Sequence, residues 1–272
     1  MSGRGYDRLP AIPPPVELCV NAKTFMDTIL TQHSEPNNRA YYDDFSNDYE
    51  RERARGYHAM LDELETSVVS PLAQGRSLLE AGCGTGLILN RLRPIAARAC
   101  GVDLSAGMLQ RAQQRGLSVA QASITALPFA DESFDVVCSF KVLAHIPDIE
   151  TAVAELFRVV RPGGHAVLEF YNALSLRYLV KRAFGPQAIS DGRTEADVYT
   201  RWDTPRSIRR YLPTDAEVVG LHGIRVLTPA AIVHRIPVVD RLLPVMERLA
   251  MGSPLRYWGG FLVAVIRKKG RR

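Results

Sequence analysis

The chain has 272 residues, 46% hydrophobic and 23% charged, enough to fill one α/β core with attachments. Its net charge of +5 invites a nucleic-acid reading, but the bases do not gather into an aromatic-studded stripe, and such a partner is disfavoured. No apolar run approaches the ~20 residues of a membrane span, the start lacks a signal-peptide core, and Cys19, Cys83, Cys100 and Cys138 have no paired spacing. The expectation is a cytoplasmic protein with reduced thiols.

Residues 1–15, rich in Gly, Arg and Pro, predict an extended arm. Residues 16–32 have helical spacing, and a later charged helix runs to about Val69 with Tyr57, Met60, Leu61 and Leu64 on one face. Ser77, Leu78 and Leu79 form a short buried strand, and then Gly82, Gly84 and Gly86 arrive on alternate positions. A tight loop is required there, and the helical spacing of Leu87, Ile88, Leu89 and Leu92 suggests that it delivers its NH groups to a ligand at a helix N-terminus. Glu80 sets a carboxylate at the strand end, repelling a pyrophosphate and attracting an amino group or sulfonium. A second strand ends in Asp103, where an acid can take both hydroxyls of a ribose. Together they describe an adenosine bearing a cation rather than a dinucleotide.

Ser105 N-caps a predicted helix over 106–115 that Gly116 ends, and residues 119–123 make a third strand. Residues 134–140 form a fourth, central strand. Asp148 caps a helix bearing Ile149, Val153, Leu156, Phe157 and Val160, and Pro162-Gly163-Gly164 turns into a fifth strand over 165–170. The alternation calls for a parallel doubly wound sheet. Arg177, Lys181, Arg182, Tyr199, Arg201, Trp202, Arg206, Arg209 and Arg210 follow, as a solvated face or collectively an anion site. A sixth strand over 216–226 and a last over 261–266 flank an apolar stretch at 227–258. Its interspersed Arg235, Arg241 and Arg248 rule out a span, leaving a cover for the active site, a dimer face or a helix on an anionic membrane. His222 and His234 lack acidic or cysteine neighbours at ligand spacing, which argues against a metal.

Six ordered segments carry a family resemblance: Glu80-Ala-Gly-Cys-Gly-Thr-Gly86, Gly101-Val-Asp-Leu-Ser105, Ala126-Leu-Pro-Phe129, Phe134-Asp-Val-Val137, His145-Ile-Pro-Asp148 and Arg158-Val-Val-Arg-Pro-Gly-Gly164. With them the sequence resembles the class I methyltransferases that use S-adenosylmethionine, within the small-molecule group related to the ubiquinone and menaquinone methylases. The resemblance implies a Rossmann-like α/β sheet of seven strands, the last antiparallel. It implies an N-terminal arm and lid over 1–70, a cofactor-binding core over 71–172, a substrate cap over 173–215 and a C-terminal part over 216–272. It implies cofactor contacts from Tyr49, Arg53, Glu80, Gly82, Cys83, Gly84, Gly86, Asp103, Leu104, Met108, Ser123, Ile124 and Phe140. Relatives place an Asp where Ser123 stands, so the adenine amino group meets a hydroxyl instead of a carboxylate. His145 is a candidate general base with Glu169 orienting it, or else each merely holds loop and strand mouth; Tyr171 and Trp202 are substrate candidates. The expected reaction is O-methylation of a small, fairly hydrophobic metabolite. Alternatives are C-methylation of a quinone or lipid-like ring at a membrane surface, and a cofactor-binding module without chemistry.

Overall fold

The computed structural model describes residues 56–184, 188–190, 193–194, 199–228, 233–234 and 236–270. The predicted arm, the helix at 16–32, Cys19, the lid residues Tyr49 and Arg53, and Arg235 lie outside them.

The main sheet has seven strands: β1 (Ser77–Ala81), β2 (Arg98–Asp103), β3 (Val119–Gln121), β4 (Phe134–Ser139), β5 (Val160–Tyr171), β8 (Ala216–Ile224) and β9 (Phe261–Lys268). A separate hairpin, β6 (Ala188–Ser190) and β7 (Arg193–Thr194), intervenes in the chain. The order is β3-β2-β1-β4-β5-β9-β8, with β1 to β5 pairing in parallel and β9 antiparallel to both neighbours. This is the expected Rossmann-like α/β sheet. The strand order reverses between β1 and β4, and the crevice for a ligand opens at their carboxyl ends.

Burial explains the layers. β1 is buried at every position, so both faces of the sheet must be covered. Leu78, Val136, Val167 and Val263 turn to one side, where α1 (Gly56–Ala73) supplies Met60, Leu61 and Leu64, and α2 (Leu87–Leu92) and α3 (Ala106–Gln114) add Leu89 and Ala112. Leu79, Val137, Leu168 and Leu262 turn to the other, against Val153, Leu156 and Phe157 of α4 (Ile149–Val159) and Ile208 of α6 (Pro205–Tyr211). A one-residue slip would exchange the two cores, and each large aliphatic side chain buried here is worth about 1.5–3 kcal/mol. Cys83, Cys100 and Cys138 are buried free thiols.

The helix starts follow the expected caps: Ser105 Oγ accepts from Met108 N and Asp148 Oδ1 from Thr151 N. Two strand ends differ. β3 stops at Gln121 because Ser123 enters a local turn, bridged to Ala126 with its hydroxyl 2.7 Å from that of Thr125. β5 begins at Val160, which pairs with Phe134, so Pro162-Gly163-Gly164 forms a bulge within the strand rather than a preceding turn.

In the 227–258 stretch lies α7 (Pro237–Ala250). Its Glu247 turns inward and accepts from the amides of Val226, Leu227 and Thr228. Val238, Leu242, Val245 and Leu249 face outward, Leu249 being 75% exposed. None of the described residues of α7 lines the clefts described below. Among the described residues no helix is long and apolar enough to cross a membrane.

Candidate active site

The loop between β1 and α2 has three residues with positive φ: Gly82 at 78°, Gly84 at 53° and Gly86 at 80°. They need glycine for different reasons. A Cβ at Gly82 would stand 2.2 Å from Val142 Cγ2, and one at Gly86 2.3 Å from Leu117 Cδ1. A Cβ at Gly84 would meet nothing within 4 Å, because that position looks into open cleft. The loop amides correct part of one expectation. Gly82 N and Cys83 N donate to Val102 O, Gly86 N to Cys83 O, and Gly84 N to Asp103 Oδ2. These four amides are committed within the loop and its neighbour strand, whereas Thr85 and, at the start of α2, Leu87 and Ile88 line a recess described below.

Asp103 closes that arrangement. Its Oδ2 accepts from Gly84 N at 2.7 Å and its Oδ1 from Ser105 N at 2.9 Å. A cleft of about 780 Å³ opens beside it, lined by Gly82, Gly84, Asp103, Leu104, Met108, Ser123, Ile124, Phe140, Lys141 and His145, among others. A smaller recess of about 340 Å³ shares Gly82, Gly84, Phe140 and Lys141 with it and adds Asp62, Glu80 and Cys83. All the sequence-predicted cofactor residues within the described part therefore line one space or its recess, except Gly86, whose contact is with Leu117. Cys83 packs its sulfur over Gly101, where a Cβ would come within 2.7 Å.

Glu80 is 3% exposed and its Oε2 has no hydrogen-bond partner. Burial pushes its carboxyl well above the usual carboxylate range. A buried acceptor lacking a donor at the floor of a recess is the signature of a site for a cation.

At the far end of the cleft stands His145, in a short 3-10 turn after β4. Its Nδ1 lies 2.9 Å from Tyr199 O. A carbonyl can only accept, so Nδ1 carries the proton and Nε2 presents its lone pair, 3.4 Å from the Tyr171 hydroxyl. Burial lowers the imidazole from its ordinary value, assisted by the charges of Arg177, Lys181 and Arg201. Glu169 does not orient this ring. Its carboxylate accepts from Lys141 N at 3.1 Å and shares a hydrogen bond with Glu65. That correction has a geometric cause: Glu169 falls on the side of β5 that faces α1, between Val167 and Tyr171 of the same core. Burial, then the Glu65 charge, raises Glu169 well above the carboxylate range.

Several residues of the site have no motif in the sequence. Lys141, with φ at 59°, reaches Asp62 at 3.1 Å and Glu65 at 2.8 Å and ties α1 to the wall of the cleft. Arg201 corrects another expectation. Instead of facing an anion, it pairs with Asp203 and donates to Leu143 O and Ile146 O, pinning the turn that carries His145. The only sequence hints are two acids three apart in the apolar stripe of α1 and an Arg-x-Asp pair in the Arg-rich segment. Tyr171 and Trp202, proposed separately for substrate, meet at 5.5 Å between ring centroids.

Residues 79–168 match a family model described as a methyltransferase domain. Within the chain, this stretch carries a methyltransferase domain. Over 166 residues it is 34% identical to the malonyl-[acyl-carrier protein] O-methyltransferase of Erwinia billingiae, covering 58% of this chain and 59% of that protein. Over 113 residues it is 35% identical to the ubiquinone biosynthesis O-methyltransferase of Alkalilimnicola ehrlichii, covering 39% of this chain and 46% of that one. The chain thus spans about half to three fifths of these curated relatives. A crystal structure from Thermotoga maritima, described as an S-adenosylmethionine-dependent methyltransferase and possible histamine N-methyltransferase, superposes with a TM-score of 0.61 at 20% identity, covering 85% of this chain and 99% of that one. That likeness is one of fold.

The methyltransferase domain's own residues fit the cofactor. The unpartnered Glu80 oxygen suits an ammonium, Asp103 suits vicinal hydroxyls, and the empty space at Gly84 leaves room for a ligand against bare backbone. Ser123 fits least well, since its hydroxyl already engages Thr125.

Proposed function

We propose that this protein transfers a methyl group from S-adenosylmethionine to a small, fairly hydrophobic metabolite, most readily onto oxygen. Bound, the cofactor supplies a sulfonium methyl that is already electrophilic. The chain then has three tasks: to position the acceptor, to deprotonate it and to exclude water. In this reading Asp103 holds the ribose hydroxyls, Glu80 the amino group, Met108, Leu104 and Ile124 the adenine faces, and Ser123 the exocyclic amine. His145 takes the acceptor's proton at Nε2. The observation that carries the reading is the fixed tautomer of His145 at the end of the cleft: a neutral imidazole whose other nitrogen is held by Tyr199 O. The small-metabolite assignment rests on the aromatic and aliphatic residues around the mouth, and the two curated relatives are both named as O-methyltransferases.

Calorimetric titration with S-adenosylmethionine and separately with NAD, repeated on Asp103→Asn, tests the cofactor. Binding of the first alone, weakened about tenfold to a hundredfold in the variant, is expected. Methyl uptake from labelled cofactor into phenols, hydroxy acids and quinones then tests the acceptor; uptake only into intact RNA or protein would overturn it. The outward apolar faces of α5 (Leu176–Phe184) and α7 favour a second reading, C-methylation at a membrane surface. Failure to cosediment with anionic liposomes would remove that second reading.

A further inference from the structure

The C-terminal end of β5 and the N-terminal end of β9 meet at a group of side chains with no part in the cofactor cleft. The guanidinium of Arg177 lies over three rings at once, 5.0 Å from the centroid of Tyr171, 5.5 Å from Trp202 and 5.1 Å from Phe261. Its Nη1 is buried and has no hydrogen-bond partner. Lys181, one turn along α5, sits 5.5 Å from the Trp202 ring. Arg225 stands over Tyr57 at 5.2 Å and hydrogen-bonds its hydroxyl. Arg177 and Arg225 act on the same Tyr57 hydroxyl and on each other electrostatically. Three cations thus converge on four aromatic rings, and no described carboxylate forms an ion pair with Arg177. Three other arginines of this half do have acids: Arg201 has Asp203, Arg248 has Glu63 and Arg267 has Glu217.

A guanidinium held over rings is favourable as a cation on π faces, yet those contacts leave its Nη1 donor unanswered. A buried charged donor without an acceptor, close to a second guanidinium, is destabilising until an anion arrives. The fork of parallel N–H groups on a guanidinium matches two oxygens in a plane. The Tyr171 ring contacts both groups, the imidazole of His145 at 5.4 Å and the Arg177 guanidinium at 5.0 Å.

We infer that the substrate is a carboxylic acid, anchored through its carboxylate by Arg177 beside Tyr171, Trp202 and Phe261, with the reacting group reaching toward His145. The binding stands on its own; only the identity of the acid as methyl acceptor rests on the reading above.

The test uses the full chain. Trp202 and Trp258 are its two tryptophans, and Trp258 is 63% exposed, so Trp258→Phe leaves Trp202 as a reporter beside Arg177. In that background its fluorescence is titrated with benzoate, methyl benzoate and phenyl phosphate. Benzoate is expected to bind about tenfold tighter than its ester, a preference that Arg177→Met abolishes while calorimetric affinity for S-adenosylmethionine stays unchanged. No response to benzoate, equal response to acid and ester, tighter binding of phenyl phosphate, or an acid preference that survives in Arg177→Met would each overturn the proposal. If Arg177→Met fails to fold, the acid-to-ester comparison in the parent still decides, with Arg177→Lys as the second variant, expected to keep part of the preference. Loss of cofactor binding alongside intact selection for benzoate would sink the methyltransferase reading and leave this site standing.

Discussion

The two halves of the sheet's mouth are built differently. Over β1, β2 and β4 the mouth is shaped by backbone: three glycines, an aspartate that ties loop to strand, and amides bonded among themselves. Over β5, β9 and β8 it is shaped by side chains brought from segments far apart in the chain: Tyr57 of α1, Tyr171, Arg177, Trp202 and Phe261. The first half has few ways to change without unfolding. The second is an assembly of rings and cations on a finished scaffold, where chemistry can vary while the sheet persists.

The sharpest way to break this contrast is at the glycines. Gly86→Ala forces a Cβ into Leu117 at a positive φ, and a loss of about 2–4 kcal/mol in urea unfolding is expected. Gly84→Ala meets only the φ penalty, about 1–2 kcal/mol, yet fills the space beside Asp103 and should abolish cofactor binding in the calorimeter. Equal stability losses at the two positions would mean that the loop does not divide its glycines between packing and binding.

Next in size is His145→Gln. If Nε2 is the base, kcat falls about a hundredfold or more with KM little changed. Because burial lowers the imidazole's affinity for protons, wild-type kcat/KM should stay flat through neutral pH and fall only on the acid side of the ordinary histidine range. The variant should lose that acid limb. A loss under about tenfold with the limb intact would assign His145 a holding role, as its bond to Tyr199 O also allows.

A smaller effect separates the buried acids. Glu80 and Glu169 both have folded-state carboxyls raised by burial, so the folded chain binds more protons than the unfolded one. Stability is then full below the usual carboxylate range and declines as pH rises through the raised values. Glu80→Gln and Glu169→Gln should each flatten that decline in thermal melts without cofactor. Only Glu80→Gln should also weaken S-adenosylmethionine, most at high pH, where the wild-type carboxylate is ionised. A decline unchanged in both variants would refute these assignments.

Legibility in the sequence follows the same division. The caps at Ser105 and Asp148 were readable from spacing within short segments, and the family resemblance implied the seven-stranded sheet; Asp103, Met108 and Phe140 line the cleft and Glu80 its recess. The loop amides were misjudged because the partner of Gly84 N is a side chain 19 residues away. Glu169 was paired with the wrong group because alternation in β5 decides its face, and register is not visible from one strand. Arg201 was read as part of a solvated face or an anion site, and Lys141 carries no motif; their partners, Asp203 and the carbonyls of Leu143 and Ile146 for one, Asp62 and Glu65 for the other, come mostly from remote segments.

The smallest expected effect concerns the surface that the fold leaves open. Leu249 is 75% exposed on α7, while Glu247, two residues earlier, is fully buried and holds the turn at 226–228. Leu249→Gln removes apolar area that folding does not cover, so unfolding free energy should change by no more than about 0.5 kcal/mol. Glu247→Gln weakens charge-assisted bonds to three amides and a hydroxyl and should cost about 1–3 kcal/mol. If Leu249→Gln instead lowers the melting temperature in a protein-concentration-dependent way, α7 is an interface between copies of this chain. A stability unchanged at every concentration, together with weaker liposome cosedimentation, would place the same face against lipid.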